Sequence, residues 1–396
     1  MPVTGGLIRR ISPARRAAFD VLLAVSDGAY ASDTLRIRSR SLHSRDGGLA
    51  AQIVFGCLRY QSQLDYLIFF YSGRQAAALD LPVLLAMRMA LFQLRYLERI
   101  PAHAAVHDSV ELVKRHKRGA AGLVNAALRK VTRDPVKWPD RAVELSCPAW
   151  LLGRWEAHFG TDAARKIAAA ALEEPVAYVR CAPGSLKPPD LELEPTPVAG
   201  AYRVLSPLPV GSRLHDIGSQ AILPLLDLRP GSMYLDLCAA PGNKTVQALE
   251  VPLGLAIACD ISWKRIRDIP PVCPRVVLDA TQALPFRAPF DRIFIDAPCS
   301  GTGTLSRNPE IKWRVTDQDF SRFAHKQLEI VLQAAKLLAP AGMLLYATCS
   351  LEREENEDVM RRLLASRPCL EVQQEVWRLP GRDLGDGFYA AVLCAR

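Results

Sequence analysis

Two patterns of apolar and polar residues divide this chain. From Ala14 to about Arg133, apolar positions return at three- and four-residue spacing through 15–25, 48–57, 81–94 and 104–113, the period of helices that bury one face. Asp33, Ser44 and the pair Ser72 and Gly73 supply cap and turn chemistry between these segments, and Asp134 with Pro135 ends the last one. Almost nothing here alternates with the two-residue period of a strand, so the pattern predicts an all-helical domain over 1–133.

Residues 134–214 read as a linker and small subdomain. Pro135, Pro139 and Pro148 lead into helical stretches at 150–159 and 162–172, and a Pro-rich segment over 183–209 is flanked by short strands near 178–180 and 202–204. After Gly218 the pattern changes. Short Val/Ile/Leu-rich runs at 233–237, 255–259, 276–278, 292–295, 343–347 and 390–393 alternate with helical stretches, as in a parallel sheet covered on both faces. An α/β domain over 215–396 is predicted. Only 18 residues separate Asp260 from Asp279, and Pro270, Pro271 and Pro274 fall among them, so the helix between these two strands is shortened or missing.

Length and composition agree with several folded domains. The 396 residues exceed one ordinary core, and 49% hydrophobic with 23% charged residues is the balance of a globular chain. The longest apolar run, 330–343, is interrupted by Gln and Lys and is too short to cross a bilayer. Residues 1–16 carry scattered Arg without the apolar core of a secretory signal, so a cytoplasmic location and no membrane partner are expected. The net charge of +9 is unevenly placed: residues 1–150 hold 22 Lys+Arg against 12 Asp+Glu, and the remainder 28 against 29. A basic domain joined to a near-neutral one reads as a polyanion-binding module serving a catalytic one, or as a solvated basic surface.

The ten cysteines include no CxxC pair and no Cys/His cluster with zinc-ligand spacing, so no metal is expected and most are small buried hydrophobes. The exceptions lie at predicted strand ends. The run 233–237 enters Cys238-Ala-Ala-Pro-Gly-Asn-Lys-Thr245, small residues at the first loop of a doubly wound sheet, the usual ligand position. Neither GxGxxG nor GxxxxGK[ST] is present, so pyrophosphate is not the obvious ligand. Asp260 ends the next strand, where a carboxylate can accept both ribose hydroxyls, and Asp279 ends the third, positioned for an adenine amino group. Three such strand ends without a phosphate cradle fit S-adenosylmethionine. The fourth strand ends in Asp296-Ala-Pro-Cys299-Ser-Gly-Thr-Gly303 and the next long strand in Thr348-Cys349-Ser350. Cytosine C5 becomes nucleophilic only after a thiolate adds to C6, so C5 methylation demands a cysteine, an acid and later a base. Methylation of an exocyclic amine needs none of these, and the Asn/Asp-Pro-Pro-aromatic motif of that chemistry is absent.

The motifs at 235–245, 296–303, Arg307-Asn-Pro-Glu-Ile-Lys-Trp313 and Thr348-Cys-Ser350 resemble, in order, those of the RNA cytosine-C5 methyltransferases that include the Sun and Nop2 proteins. Residues 17–129, with Arg59-Tyr60 and Asn125-Ala-Ala-Leu-Arg-Lys130, are similar to the NusB-like RNA-binding domain. The resemblance implies a Rossmann-like methyltransferase domain preceded by an all-α NusB-like domain, and cytosine C5 of 16S ribosomal RNA, unassembled or partly assembled, as the substrate of a monomer. It implies that Cys349 attacks C6, that Cys299 assists removal of the C5 proton and release of the product, and that Asp296 holds the base. Cys238, Ala239, Ala240, Pro241, Gly242, Asn243, Lys244, Asp260, Asp279 and Asp296 would line the cofactor site. Arg307, Lys312 and Trp313 would contact RNA or brace the catalytic loop. One departure stands out: the family has Gly-Gly-Lys where this chain has Gly242-Asn243-Lys244. Other readings are the same chemistry on transfer RNA, the two cysteines with reversed roles, and a non-catalytic RNA-binding ribosome-assembly factor.

Overall fold

A computed structural model describes residues 11–182, 184, 191–209 and 212–395. Residues 1–10 of the basic N-terminal stretch and most of the Pro-rich segment between 183 and 190 lie outside the described residues. Packing divides the chain into two units, 1–154 with 308–313, and 155–307 with 314–396, where the sequence pattern sets a separate linking part at 134–214.

The first unit is helical: α1 (Pro13–Ser26), α2 (Ala31–Arg38), α3 (Ser44–Arg59), α4 (Gln61–Ser72), α5 (Leu81–Tyr96), α6 (Ala102–His116), α7 (Ala121–Leu128) and α8 (Arg141–Glu144). Its core is aliphatic and aromatic, with Phe19, Leu22, Ile53, Leu64 and Met87 buried at the positions that the 3.6-residue period selects. One buried ion pair crosses that core. Arg15 of α1 donates to Asp108 of α6 at 3.0 Å and to Gln93 of α5 at 2.6 Å, which satisfies a charge that burial would otherwise penalise.

The hexapeptide 308–313 belongs to this unit and fastens two helix ends. Glu310 accepts from the backbone N–H of Ala31 at the start of α2 (3.0 Å). Lys312 and Trp313 donate to the carbonyls of Arg59 (2.9 Å) and Leu58 (2.6 Å) at the end of α3. An acceptor at a helix start and N–H donors at a helix end satisfy backbone groups that a helix leaves open at its termini. Lys312 is 1% exposed, so of the two roles open to it from sequence the structure favours bracing, but of the helical unit and not of a catalytic loop.

The second unit takes over along α9 (Ala149–Phe159), followed by α10 (Thr161–Ala170) and a small antiparallel sheet of β1 (Tyr178–Arg180), β2 (Leu193–Pro195) and β3 (Ala201–Val204). Next come α11 (Ile217–Ile222), β4 (Met233–Asp236), α12 (Asn243–Ala248), β5 (Leu255–Asp260), α13 (Trp263–Ile266), β6 (Arg275–Val277) and β7 (Phe290–Asp296). The chain closes with α14 (Ile311–Arg314), α15 (Asp317–Ala334), β8 (Leu338–Thr348), α16 (Glu357–Ser366), β9 (Leu370–Arg378) and β10 (Phe388–Ala395). The large sheet runs β6-β5-β4-β7-β8-β10-β9. Its first five strands are parallel, and β10 pairs antiparallel with both β8 and β9.

Two buried clusters show that both faces are covered. Ile293, Ile295, Leu344 and Tyr346 pack with Ile330 and Val331 of α15 and Val359 and Leu363 of α16. On the other face Tyr234, Phe294, Leu345 and Val392 pack with Ile222 of α11 and Ala248 of α12. The sequence pattern missed β9, whose edge position leaves Gln373, Gln374 and Glu375 exposed and dilutes its apolar signal. It also placed the last run, 390–393, in a parallel sheet, whereas β10 runs antiparallel to both of its neighbours. The helix between Asp260 and Asp279 is the four-residue α13, shortened as the prolines require.

Candidate active site

Strand order reverses at β4 and β7, since the chain moves from β4 to β5 and β6 on one side and from β7 to β8 on the other. Ligands of open α/β sheets bind outside the carboxyl ends of the strands at such a point. The loops that follow β4, β7 and β8, which carry three of the four motifs, lie there.

The loop after β4 turns sharply into α12. Gly242 has φ of +96°, and a Cβ on it would stand 2.7 Å from Ile269 Cγ1, so both conformation and space require glycine. At the next position Asn243 makes bonds a glycine could not: its amide donates to the Leu214 carbonyl at 2.9 Å and its oxygen accepts from the Arg213 guanidinium, which also donates to the Pro241 carbonyl.

A cavity of about 260 Å³ opens between this loop and the ends of β5, β6 and β7. Cys238, Ala240, Asp260, Asp279 and Asp296 line it, with Ile261, Leu278 and Pro298 as apolar walls and Lys326 and Ile330 of α15 as residues the sequence did not point to. Ala239, Pro241, Gly242, Asn243 and Lys244 do not line it. Ala239 is buried against Ile266 and Ile269. The lining combines three carboxylates and apolar walls with two cations, Arg265 and Lys326, a mixture that suits a charged nucleoside.

Asp260 is 2% exposed and fully engaged. It accepts from Ala240 N–H at 3.2 Å, Ser262 N–H at 2.8 Å and the exposed Arg265 guanidinium at 2.8 Å, so it holds the loop after β4 as well as facing the cavity. Asp279 is exposed. Its carboxylate accepts from the Thr281 backbone and hydroxyl, and these bonds hold its pKa below the usual carboxylate value.

Beyond the cavity the loops after β7 and β8 meet. Cys299 Sγ and Cys349 Sγ lie 3.3 Å apart. The Cys299 thiol is held well above its ordinary pKa, first by the hydrogen bond with Cys349 and then by burial. Asp296 Oδ2 accepts from Lys244 Nζ at 2.6 Å. Burial opposes the charge on Lys244, but Asp296 outweighs it and the ammonium pKa ends above its usual value. The two cysteine loops also touch through backbone: Gly303 N–H donates to the Cys349 carbonyl and Gly387 N–H to that of Gly303, both at 2.8 Å. A Cβ on Gly303 would meet Gly387 O at 2.5 Å and Cys349 O at 2.8 Å.

Arg307 does not face solvent as an RNA contact would. It bridges Asp216 at 2.7 Å and Asp386 at 2.9 Å and donates to the Val176 carbonyl, so it braces the segment leading to Gly387. Burial and the neighbouring Asp216 push the Asp386 pKa up to about 7 against the pull of Arg307. Sequence reasoning also missed Glu355, whose carboxylate accepts from Ser300 and Ser350, the residues after each cysteine. It sits in the acidic run 352–358, which reads as a solvated helix start.

Comparison with known proteins agrees with this arrangement. Residues 223–394 match the family described as 16S rRNA methyltransferase RsmB/F, and residues 12–133 match the NusB family. Ribosomal RNA small subunit methyltransferase B of Yersinia pestis bv. Antiqua (strain Angola) is 31% identical, covering 95% of this chain and 96% of that protein. Probable ribosomal RNA small subunit methyltransferase B of Bacillus subtilis (strain 168) is 29% identical over 90% of this chain and 89% of its own length. The crystal structure of PH0851 superposes with a TM-score of 0.79 at 20% identity, covering 97% of this chain and 99% of that one. NSun6 from Pyrococcus horikoshii, solved with SFG, has a TM-score of 0.55 at 18% identity over 63% of this chain and 98% of its own. A helical NusB domain, a doubly wound sheet with its loops gathered at the strand-order reversal, and a full-length relative at 31% identity together show that the chain belongs to the 16S rRNA methyltransferase RsmB/F family.

Proposed function

We propose that this protein methylates C5 of a cytosine in 16S ribosomal RNA, before or during assembly of the subunit, with S-adenosylmethionine as methyl donor and as a monomer. The observation that carries the reading is the pair Cys299 and Cys349, 3.3 Å apart beside Asp296 and an acidic nucleoside-sized cavity. A single thiol would serve for attack. A second within contact distance has a use when the same adduct must also be taken apart.

In this reading the Cys349 thiolate adds to C6 of the unstacked base, and the C5–C6 electron pair moves toward N3, where Asp296 holds the ring. S-adenosylmethionine supplies an electrophilic methyl group to the carbon thus activated. Cys299 then takes the C5 proton, the electrons of that bond restore the C5–C6 double bond, and the Cys349 sulfur leaves C6. The pKa causes give this order a physical basis. The hydrogen bond with Cys349 is the largest cause of the raised Cys299 pKa. Once Cys349 is bonded to carbon that contact is spent, so Cys299 becomes easier to ionise at the step that needs a base. Asp260 and Asp279 would take the ribose and adenine of the cofactor, and the basic helical unit would bind the RNA by phosphate attraction.

The test is transfer of labelled methyl groups from S-adenosylmethionine to unmodified 16S ribosomal RNA by the wild type, Cys349→Ala and Cys299→Ala. Label on a cytosine that vanishes in Cys349→Ala, with a trapped protein–RNA adduct in Cys299→Ala, is the expected result. An adduct in Cys349→Ala instead would reverse the cysteine roles. Label on transfer RNA and none on ribosomal RNA would remove the substrate assignment, and no transfer to either RNA would favour an assembly factor.

A further inference from the structure

Both reacting cysteines stand on loops, and loops hold atoms in place only where something ties them. The tie here is a small buried network centred on Glu355, in the turn between β8 and α16. Its side chain is 0% exposed and forms no ion pair among the described residues; four neutral donors converge on its carboxylate. These are the Ser300 backbone N–H at 2.9 Å, the Ser300 hydroxyl at 2.5 Å, the Ser350 hydroxyl at 2.7 Å and the Gln327 amide at 3.0 Å. The two hydroxyls are themselves 3.1 Å apart.

The bonds reach both neighbours of each cysteine. Beside Cys299, Ser300 is bound by Glu355 directly, and Pro298 is held through Gln327, whose amide also donates to the Pro298 carbonyl at 2.9 Å. Beside Cys349, Ser350 is bound by Glu355, and the next residue along, Asn356, accepts from the Thr348 hydroxyl at 2.6 Å and donates to the Ser350 carbonyl at 3.0 Å. An uncompensated carboxylate in the interior is costly, and burial does raise the pKa of Glu355 against these bonds. Its charge also raises the Cys299 pKa, so it does not activate that thiol. What remains for it is geometry.

We infer that Glu355 is a positioning residue for the reaction: by binding Ser300 and Ser350 at once, its carboxylate sets the spacing of Cys299 and Cys349. The inference rests on the reading of those cysteines as the reacting pair, but the spacing itself can be measured without any methyl transfer. Diamide oxidises two adjacent thiols to a disulfide, is itself reduced to the hydrazide, and does so faster the better the sulfurs are held in reach.

The experiment follows formation of the Cys299–Cys349 disulfide in the full chain by peptide mass spectrometry under diamide, for wild type, Glu355→Gln and the milder double variant Ser300→Ala/Ser350→Ala. Both variants should close about tenfold more slowly, since small displacements of paired groups carry effects of that size or more. In methylation assays kcat should fall by at least about tenfold, while the Kd for S-adenosylmethionine and KM for RNA stay within about twofold. If Glu355→Gln fails to fold, the double variant decides. Closure at the wild-type rate in the folded variants would overturn the inference. A wild type that transfers no methyl group but closes faster than its variants would leave Glu355 as the positioning group and discard cytosine methylation.

Discussion

Lys244 Nζ lies 2.6 Å from Oδ2 of Asp296, which lines the cavity together with Asp260 and Asp279. This ammonium also offsets Asp236, a fully buried carboxylate whose pKa is driven up to about 7 by burial, with the Thr245 hydroxyl and Lys244 pulling it down. Replacing Lys244 by Met would leave two carboxylates without their cation. The expected loss is about 1–3 kcal/mol of stability in urea unfolding, as for other buried charges stripped of a partner. Methyl transfer should fall by about 100-fold or more, because Asp296, the carboxylate proposed to hold the base, loses its tether.

Gly303 is where the two cysteine loops press backbone to backbone. Its absent Cβ is all that lets Gly387 O and Cys349 O approach. Gly303→Ala should cost about 1–3 kcal/mol of stability, the range for overpacked sites. If Gly303 acts only through the loops, cofactor affinity measured by calorimetry stays within about twofold while turnover falls. A parallel loss of both would place the damage in the cofactor loop instead.

Asn243 follows the glycine of the loop after β4, and Arg213 and Leu214 hold its side chain. Asn243→Gly and Arg213→Ala should each weaken S-adenosylmethionine binding by about threefold to tenfold, and the double variant should be no worse than either alone. That non-additivity, a coupling of about 0.5–3 kcal/mol for groups in contact, is the signature to look for in titrations. Unchanged affinity in both single variants would reduce the pair to a surface contact.

Lys312 gives a pH dependence with a definite sign. Burial lowers its pKa from 10.5 to about 7, with Arg59 lowering it further and Cys147 opposing. Between those values the unfolded chain binds the proton and the folded chain does not, so stability rises with pH from about 7 to 10.5 and is lost as pH falls through the folded value. The slope from this one group reaches at most about 1.4 kcal/mol per pH unit. Comparing wild type with Lys312→Met cancels the other titrations: the difference in unfolding free energy should shift toward wild type from pH 7 to pH 9. A pH-independent difference would mean that the lysine is charged in the folded state.

Much of the site was legible because its chemistry is local in sequence. Strand ends carrying Asp260, Asp279 and Asp296 can be read from a short apolar run followed by a carboxylate, and the cysteine motifs from a few residues each. The helical unit was legible for a similar reason, since the 3.6-residue period that shapes α1, α3, α5 and α6 is written within each segment. β9 was not, because an edge strand with one wet face does not concentrate apolar residues. Lys312 and Trp313 left two roles open in the sequence, contact with RNA or bracing of the catalytic loop, and tertiary packing uses them instead to end α3.

The sequence by itself determined which groups are available: two cysteines, a set of strand-end carboxylates, a glycine turn without a phosphate cradle, and an excess of positive charge in the first 150 residues. Tertiary structure alone decided which of them meet. A distance between residues 50 positions apart, as for Cys299 and Cys349, depends on β7 and β8 pairing in parallel register and on Glu355 reaching back to both loops. Periodicity encodes which face of an element is buried. It carries no information on which buried faces become neighbours, because that choice is made by the packing of the whole core.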